Sequence, residues 1–257
     1  MDPKAGSQIK LSAKQRELLE RRLLERSASG AKRTGIPRRA PSETAQLSFA
    51  QQRLWFLNIL EPESSQYNLA NSIRLVGRLN YDALLSALKQ VVERHEILRT
   101  TIHRADGTAY QKLNTDFLIE CPVFDVSHLD DGERSDAVQA WMKEFGNEPF
   151  ELSTDLMLRA GLCRLADEEH VLFLVMHHIA SDAWSVDLLL RDLGEAYAAL
   201  DLGRDSALSE LPIQYADYAV WQREWFTGPV LQKQLAYWRK QLEGAPPTLE
   251  LPTDVPR

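Results

Sequence analysis

The stretch Met176-His177-His178-Ile179-Ala180-Ser181-Asp182-Ala183-Trp184-Ser185 determines both the predicted fold and the predicted site. It follows the apolar run of residues 171–176, which predicts a buried strand, and it precedes a segment with apolar residues at helical spacing. Neighbouring side chains on a strand point to opposite faces, so at most one of His177 and His178 can face a given cleft. Asp182 is close enough to fold back beneath the strand end and to orient the loop through hydrogen bonds or an ion pair.

The paired histidines allow three interpretations. An imidazole at the mouth of a buried strand suits general-base chemistry, because histidine titrates near roughly pH 6.5 and partial burial keeps it neutral. His177 and His178 can equally be ordinary histidines at the edge of the core. A metal site built from the two histidines and Asp182 is the third interpretation, but it lacks a clear third ligand at helical or turn spacing.

Strand and helix patterns alternate irregularly on both sides of this stretch, and we expect an α/β (α+β) domain with a mixed sheet flanked by helices. The predicted strands are residues 69–76, 99–104, 109–114, 118–123, 156–165 and 170–177. The predicted helices are residues 48–60, 80–95, 131–147, 182–200, 212–226 and 229–242. The sequence shows no internal repeat.

The N-terminal region differs from the rest of the chain in composition. Residues 1–46 are predicted to form a basic appendage, with a short helix that Ser12 can cap and a linker over residues 27–46. Such an arm is either a docking segment for an acidic partner or a solvated tail. The main domain is predicted to span residues 47–257. Residues 1–41 carry a net charge of +7 and the remainder carries −14. The acidic body argues against a nucleic-acid surface, because phosphate contacts need clustered Lys and Arg.

Composition narrows the class of protein further. The 257 residues are 44% apolar and 26% charged, as in soluble globular proteins, which excludes disordered, collagen-like and coiled-coil chains. No apolar run approaches the roughly 18 residues of a membrane helix, and no secretory signal stands at the N-terminus. The two cysteines, Cys121 and Cys163, are predicted to be buried thiols rather than a disulfide or a metal motif. We therefore expect a cytoplasmic protein that contacts neither membrane nor nucleic acid.

Four separated motifs together resemble the condensation domain of nonribosomal peptide synthetases. Residues 48–57, Ser-Phe-Ala-Gln-Gln-Arg-Leu-Trp-Phe-Leu, fit the opening motif in full. Residues 94–100, Arg-His-Glu-Ile-Leu-Arg-Thr, fit the second motif, and residues 177–183 fit His-His-x-x-x-Asp-Gly except at the last position. Residues 215–221, Tyr-Ala-Asp-Tyr-Ala-Val-Trp, fit the fourth motif. One such match is weak, but four in the right order are specific.

The resemblance implies a chloramphenicol-acetyltransferase-like lobe and an amide-forming reaction between two carrier-bound thioesters. An acyl group on an upstream donor carrier protein is transferred to the amine of an aminoacyl group on a downstream acceptor carrier protein. The opening motif further suits the subtype that joins an L-configured donor to an L-configured acceptor. No cofactor or metal is implied within the domain itself, since 4'-phosphopantetheine arrives on the carrier proteins as a substrate tether.

The resemblance also implies roles for individual residues. His178 is expected to accept or position the amine proton, with His177 packed behind it. Asp182 is expected to hold the loop by pairing with Arg94, because a buried carboxylate needs a partner and Arg offers a two-pronged one. The substrate is expected to border the three residues that follow Asp182, namely Ala183, Trp184 and Ser185. Ala183 replaces the usual Gly of the motif, and its methyl group either narrows the channel or costs little if φ is negative. We predict that this replacement reduces the chemistry without abolishing it.

The resemblance covers the first lobe of a two-lobed family domain and the start of the crossover into the second lobe. The missing C-terminal lobe is therefore an expected partner, and apolar surface is expected where it would dock. Two alternatives remain open. A CoA-dependent acyltransferase would share the His-x-x-x-Asp pattern, and a non-catalytic remnant would bind carrier protein without turnover.

Overall fold

The computed structural model describes residues 35–40, 42, 44–205, 208–246 and 248. The strands are β1 (Thr44–Gln46), β2 (Asn68–Val76), β3 (Thr100–Ala105), β4 (Thr108–Leu113), β5 (Val123–Asp125), β6 (Leu158–Ala166) and β7 (Glu169–His177). The helices are α1 (Phe49–Leu60), α2 (Tyr81–Arg94), α3 (Asp131–Asn147), α4 (Ala183–Asp201), α5 (Tyr215–Trp225) and α6 (Gly228–Gln241). A 3-10 turn at Glu96–Arg99 joins α2 to β3. The described residues from Ile36 onward belong to one compact unit.

The strands form two sheets. The larger sheet has the order β2-β7-β6-β5, in which β7 is antiparallel to both neighbours and β5 is parallel to β6. The smaller sheet, β1-β4-β3, is antiparallel throughout. The predicted mixed sheet flanked by helices is therefore confirmed.

Strand β7 lies at the centre of the protein because both of its faces are buried. Leu172, Leu174 and Met176 pack in one core cluster, with apolar residues of α2 and α4. Phe173 and Val175 point to the opposite face and join a second cluster that includes Trp141 and Phe145 of α3. Burial on both sides explains why residues 171–176 are continuously apolar rather than alternating.

Polar side chains fix where the helices of the site begin. Ser48 caps α1, with its hydroxyl accepting from the Gln51 N–H at 3.1 Å while the Gln51 side chain accepts from the Ser48 N–H at 3.0 Å. Asn80 caps α2 through its side-chain oxygen. Each cap satisfies backbone donors that a helix terminus otherwise leaves unpaired.

Most element predictions are confirmed to within a few residues, but two are wrong. Residues 118–123 were expected to be a strand, whereas the strand is Val123–Asp125, three residues that pair with β6. Residues 44–46 were expected to be linker, whereas they pair with β4 as strand β1. Both errors concern three-residue strands, which neighbouring strands specify more than their own sequence does.

The remaining N-terminal predictions lie outside what the structure describes. The helix predicted to begin after Ser12 and the first part of the predicted linker, residues 27–34, fall within residues 1–34. The division into residues 1–46 and 47–257 stays a prediction. Among the described residues, no helix is long and apolar enough to cross a membrane. Cys121 and Cys163 are buried free thiols, as expected.

Candidate active site

The four sequence motifs meet around one cavity of about 620 Å³. Each motif contributes part of the wall: Ala50, Arg53 and Leu54 from the first, His95 and Ile97 from the second, His178 to Asp182 from the third, and Tyr215 and Tyr218 from the fourth. Segments up to 168 positions apart in the sequence thus surround a single space. We name it the motif cavity.

The backbone at the end of β7 is held from both sides. The His178 N–H donates to the Tyr67 carbonyl at 2.8 Å, and the His177 N–H donates to the Met157 carbonyl at 3.3 Å. The chain then turns, with the Ala180 N–H donating to the His177 carbonyl at 3.0 Å. These contacts fix the point at which the two histidines leave the sheet.

The two histidines occupy opposite environments, as strand geometry predicts. His177 is 3% exposed and packs edge-on against the Phe150 ring, with a centroid distance of 5.8 Å. Burial, and after it the adjacent His178, lowers the pKa of His177 to about 4. Its Nδ1 accepts the Ile179 N–H at 3.1 Å. His177 is therefore neutral near pH 7 and faces the core, while His178 is exposed and lines the motif cavity.

The hydrogen bond of His178 determines its tautomer. Nδ1 lies 2.6 Å from the Ser181 carbonyl oxygen, which can only accept, so Nδ1 carries the proton. In the neutral ring, Nε2 then holds an unprotonated lone pair. Nε2 has no hydrogen-bond partner among the described residues. The ring is thus oriented and its basic nitrogen is left available, as a general base requires.

The Asp182 carboxylate is bonded within its own loop. Its Oδ1 accepts from the Ser185 N–H and from the Ser185 hydroxyl, both at 2.8 Å, while the Asp182 N–H donates to the Ser185 Oγ at 2.7 Å. These bonds from Ser185, the backbone one first, lower the pKa of Asp182. The carboxylate therefore stays ionised and fixes the start of α4 directly after the His178 turn.

The expected ion pair between Arg94 and Asp182 is wrong. The Arg94 Nε lies 3.3 Å from Oδ2 of Asp192, in the middle of α4, without hydrogen-bond geometry. The same oxygen accepts from Nε2 of His95 at 2.8 Å. Asp192 is 2% exposed and needs the positive charge of Arg94 and the hydrogen bond from His95, whereas Asp182 at the surface is already satisfied by its own helix. Arg94 therefore anchors α2 to α4 instead of the histidine loop.

The three residues after Asp182 differ in their access to the motif cavity. Trp184 and Ser185 line it, and Trp184 is 79% exposed. Ala183 is the first residue of α4 and is not part of the cavity wall. Among described non-glycine residues only Asp106 has a positive φ, so Ala183 adopts a conformation open to any L-residue. The structure therefore supports the expectation that the Ala183 methyl group costs little, and not the expectation that it narrows the channel.

Sequence reasoning missed the contribution of α5 to this cavity. Tyr215 and Tyr218 enter the sequence prediction only as members of a motif, yet both line the cavity. Gln214, just before the helix, donates to the Arg94 carbonyl at 2.9 Å and accepts the Glu96 N–H at 3.1 Å, which ties α5 to the second motif. The spacing of two tyrosines at i and i+3 was the available signal, since such residues share a helix face.

No metal centre is found in the part of the chain that the structure describes. No three His, Cys, Asp or Glu side chains come together there in a metal-binding arrangement. Nδ1 of His178 is hydrogen-bonded to the Ser181 carbonyl, and the Asp182 carboxylate accepts from Ser185.

Comparison with known proteins identifies the family of the sequence. The family model described as condensation domain matches residues 42–257. One of the linear gramicidin synthase polypeptides of Brevibacillus parabrevis is 46% identical over 211 residues, which is 82% of this chain and 3% of that protein. Phosphinothricin tripeptide synthetase PhsC of Streptomyces viridochromogenes is 41% identical over 248 residues, covering 96% of this chain and 23% of the relative.

Solved structures share the fold. The X-domain from teicoplanin biosynthesis is 31% identical with a TM-score of 0.77, and the match covers 87% of this chain and 48% of that one. The starter condensation domain of rhizomide synthetase RzmA is 24% identical with a TM-score of 0.71, over 80% and 49% of the two chains, and shows the fold alone. The chain thus spans about half of these solved chains and a small part of the curated relatives.

Proposed function

This chain belongs to the condensation-domain family, and on that premise we propose that it forms peptide bonds in nonribosomal peptide synthesis. The donor is an acyl or peptidyl thioester on an upstream carrier protein, and the acceptor is the amine of an aminoacyl thioester on a downstream carrier protein. Both groups arrive on 4'-phosphopantetheine, which is part of the substrate. The similarity to a gramicidin synthase and a tripeptide synthetase supports this assignment.

The availability of Nε2 on His178 carries the proposal. The acceptor amine attacks the thioester carbonyl carbon, a C–N bond forms and the C–S bond breaks. Nε2 accepts the proton that the amine loses and returns it to the departing thiolate, so that a thiol leaves. The bond from Nδ1 to the Ser181 carbonyl stabilises the imidazolium that forms between these transfers.

His177, Asp182 and Arg94 are given supporting roles in this reaction. His177 stays neutral behind the strand end, so it does not compete with His178 for the proton. Asp182 holds the turn through the cap of α4. Arg94 acts at a distance, by joining α2 to α4 through Asp192. Trp184 and Ser185, which line the motif cavity, contact the substrate, and Ala183 does not.

The domain is completed, in this proposal, by a second lobe beyond the matched residues. Helix α6 contains no buried residue and exposes Tyr237 and Trp238, while Leu242 is exposed just after it. The solved structures are matched over only about half their length. We assign residues 47–257 to the first lobe and add strand β1 to it, because Thr44–Gln46 pair with β4.

The test is a carrier-to-carrier assay on the complete condensation domain, with loaded donor and acceptor carrier proteins and mass spectrometry of the products. His178→Ala is expected to lower amide formation by roughly 100-fold or more, as for loss of a general base. His128→Ala, which changes a histidine outside the motif cavity, is the matched control and should leave the rate unchanged.

Other outcomes would replace the proposal with a named alternative. Amide formation at an unchanged rate in His178→Ala would remove His178 from the reaction. Acylation of a small amine from acyl-CoA, with no carrier-dependent product, would support a CoA-dependent acyltransferase. Carrier binding without product in the unaltered domain would support a non-catalytic module.

A further inference from the structure

Helix α5 presents two phenol groups to the motif cavity. Tyr215 and Tyr218 lie one turn apart, with ring centroids 5.5 Å from each other. Both line the same space as His178. Neither hydroxyl takes part in the proton transfer proposed above. The acceptor to which each hydroxyl donates its proton therefore has to be found separately.

The hydroxyl proton of Tyr218 has no acceptor among the described residues. The Phe49 N–H, which can only donate, lies 3.0 Å from Oε1 of Gln222 and so determines which way that amide faces. Nε2 of Gln222 then donates to the Tyr218 oxygen at 2.8 Å. Because an amide nitrogen cannot accept, Tyr218 accepts here and its own O–H points elsewhere.

The hydroxyl proton of Tyr215 can be assigned in the same way. The Ser48 oxygen accepts the Gln51 N–H at 3.1 Å and lies 2.9 Å from the Tyr215 oxygen. Ser48 is 0% exposed, so its hydroxyl proton needs a partner inside the protein, and the Tyr215 oxygen is the acceptor within reach. Ser48 therefore donates to Tyr215, which leaves the Tyr215 proton for the cavity. Burial raises the pKa of Tyr215, so the phenol keeps that proton near pH 7.

We propose that Tyr215 and Tyr218 form a paired hydrogen-bond donor site for a carbonyl oxygen of the carrier-bound substrate. An sp² carbonyl oxygen has two lone pairs and can accept from both phenols at once. Much of the surrounding wall is apolar, including Leu54, Ile97 and Ile213, which favours a neutral acyl group over a charged one. The assignment rests on the proposed function, since it takes the acyl thioester as the ligand.

The local sequence explains why the two donors are held in place. Each phenol oxygen is fixed by a donor from the first motif or from α5 itself, and neither depends on substrate for its position. The Arg223 guanidinium adds a bond to the Leu47 carbonyl at 2.8 Å and lies over the Phe49 ring, which secures α5 against the start of α1. Fixed donors bind an acceptor without the cost of ordering flexible side chains.

Two unreactive pantetheine analogues test the proposal by calorimetry on the complete domain. In the carbonyl analogue, CH₂ replaces the thioester sulfur, and in the reduced analogue CH₂ replaces the carbonyl as well. Unaltered protein should bind the carbonyl analogue more tightly. Tyr215→Phe and Tyr218→Phe should each weaken that binding by roughly fivefold, the equivalent of one neutral hydrogen bond, and change binding of the reduced analogue by less than about twofold.

Controls separate this site from a structural role. Tyr81→Phe removes a hydroxyl that donates to the Cys121 carbonyl at 2.7 Å away from the motif cavity, and it should change neither affinity. Equal weakening of both analogues in the Tyr215 and Tyr218 variants would mean that the phenols only support the fold. Equal affinity of the unaltered protein for both analogues would overturn the proposal even if a variant does not fold.

The binding experiment also distinguishes this inference from the proposed function. Loss of turnover in His178→Ala together with unchanged binding in the tyrosine variants would reject the donor pair alone. Discrimination between the two analogues in a protein that forms no amide would keep the donor pair and reject the reaction.

Discussion

Replacement of His177 by Asn tests whether the buried histidine is neutral, and hence whether His178 alone can carry a proton at the strand end. Asn keeps an acceptor oxygen near the position from which Nδ1 accepts the Ile179 N–H. It removes the only group at that position that titrates between pH 4 and pH 7. We therefore expect the variant to be less stable overall, because it leaves space beside Phe150, but less sensitive to pH.

The size of the pH-dependent change in the free energy of unfolding follows from proton linkage. The pKa of His177 is about 4 in the folded protein and 6.5 in the unfolded chain. Between these values the unfolded chain binds a proton that the folded protein does not, so the free energy of unfolding falls as the pH falls. This histidine should remove about 2 kcal/mol of stability between pH 7 and pH 5, and about 3 kcal/mol once the pH is below 4.

The assay is urea unfolding at pH 7, 6 and 5, with the variant compared with unaltered protein at each pH. Burial also lowers the pKa of His170, so this histidine makes the free energy of unfolding depend on pH in the same direction. His170→Asn is therefore the matched control, and it should keep the larger part of the pH dependence of the free energy of unfolding. NMR of the histidine rings gives a direct second measurement. A His177 ring that titrates near pH 6.5, or a variant with an unchanged slope, would refute the reasoning.

Three further substitutions give separate tests. Gly161→Ala should destabilise the domain by about 1–3 kcal/mol in urea unfolding, because its Cβ would lie 2.8 Å from Cζ2 of Trp141; an unchanged midpoint would show that the indole moves aside. Asp192→Ala should cost roughly 3 kcal/mol by leaving Arg94 with no buried counter-charge, and a loss below about 1 kcal/mol would contradict that pairing. Ala183→Gly should change turnover by less than about twofold in the carrier assay, whereas a severalfold rise would restore the predicted narrowing of the channel.

The elements that the sequence predicted well are those with a long pattern of apolar residues. Helix α4 carries apolar residues at helical spacing, and strand β7 contains an unbroken apolar run over residues 171–176, so burial selects one structure for each. Strand β5 has only three residues, and its neighbour β6 determines where it pairs. A short edge strand therefore depends on contacts that no local pattern contains.

The candidate site also has some features that the sequence predicted and one that it could not predict. The opposite environments of His177 and His178 follow from strand alternation and were predicted. The partner of Arg94 could not be predicted, because Asp182 and Asp192 are both carboxylates on one helix and only burial distinguishes them. A carboxylate at a helix start already has backbone donors, whereas one in the middle of a buried face needs a cation.

The contacts that join the motifs explain why the four motifs occur together. Ser48 of the first motif is hydrogen-bonded to Tyr215 of the fourth, and Gln214 beside the fourth binds backbone groups on both sides of His95 in the second. The third motif is held by the sheet on one side and by the cap of α4 on the other, and α4 also joins the second motif where Asp192 meets Arg94 and His95. The proposed general base and the proposed acyl-binding phenols thus lie on two walls of one cavity. Displacement of one wall relative to the other would then alter the distance between proton acceptor and carbonyl, so contacts between the walls, such as that of Asp192 with Arg94, should affect the rate as well as folding.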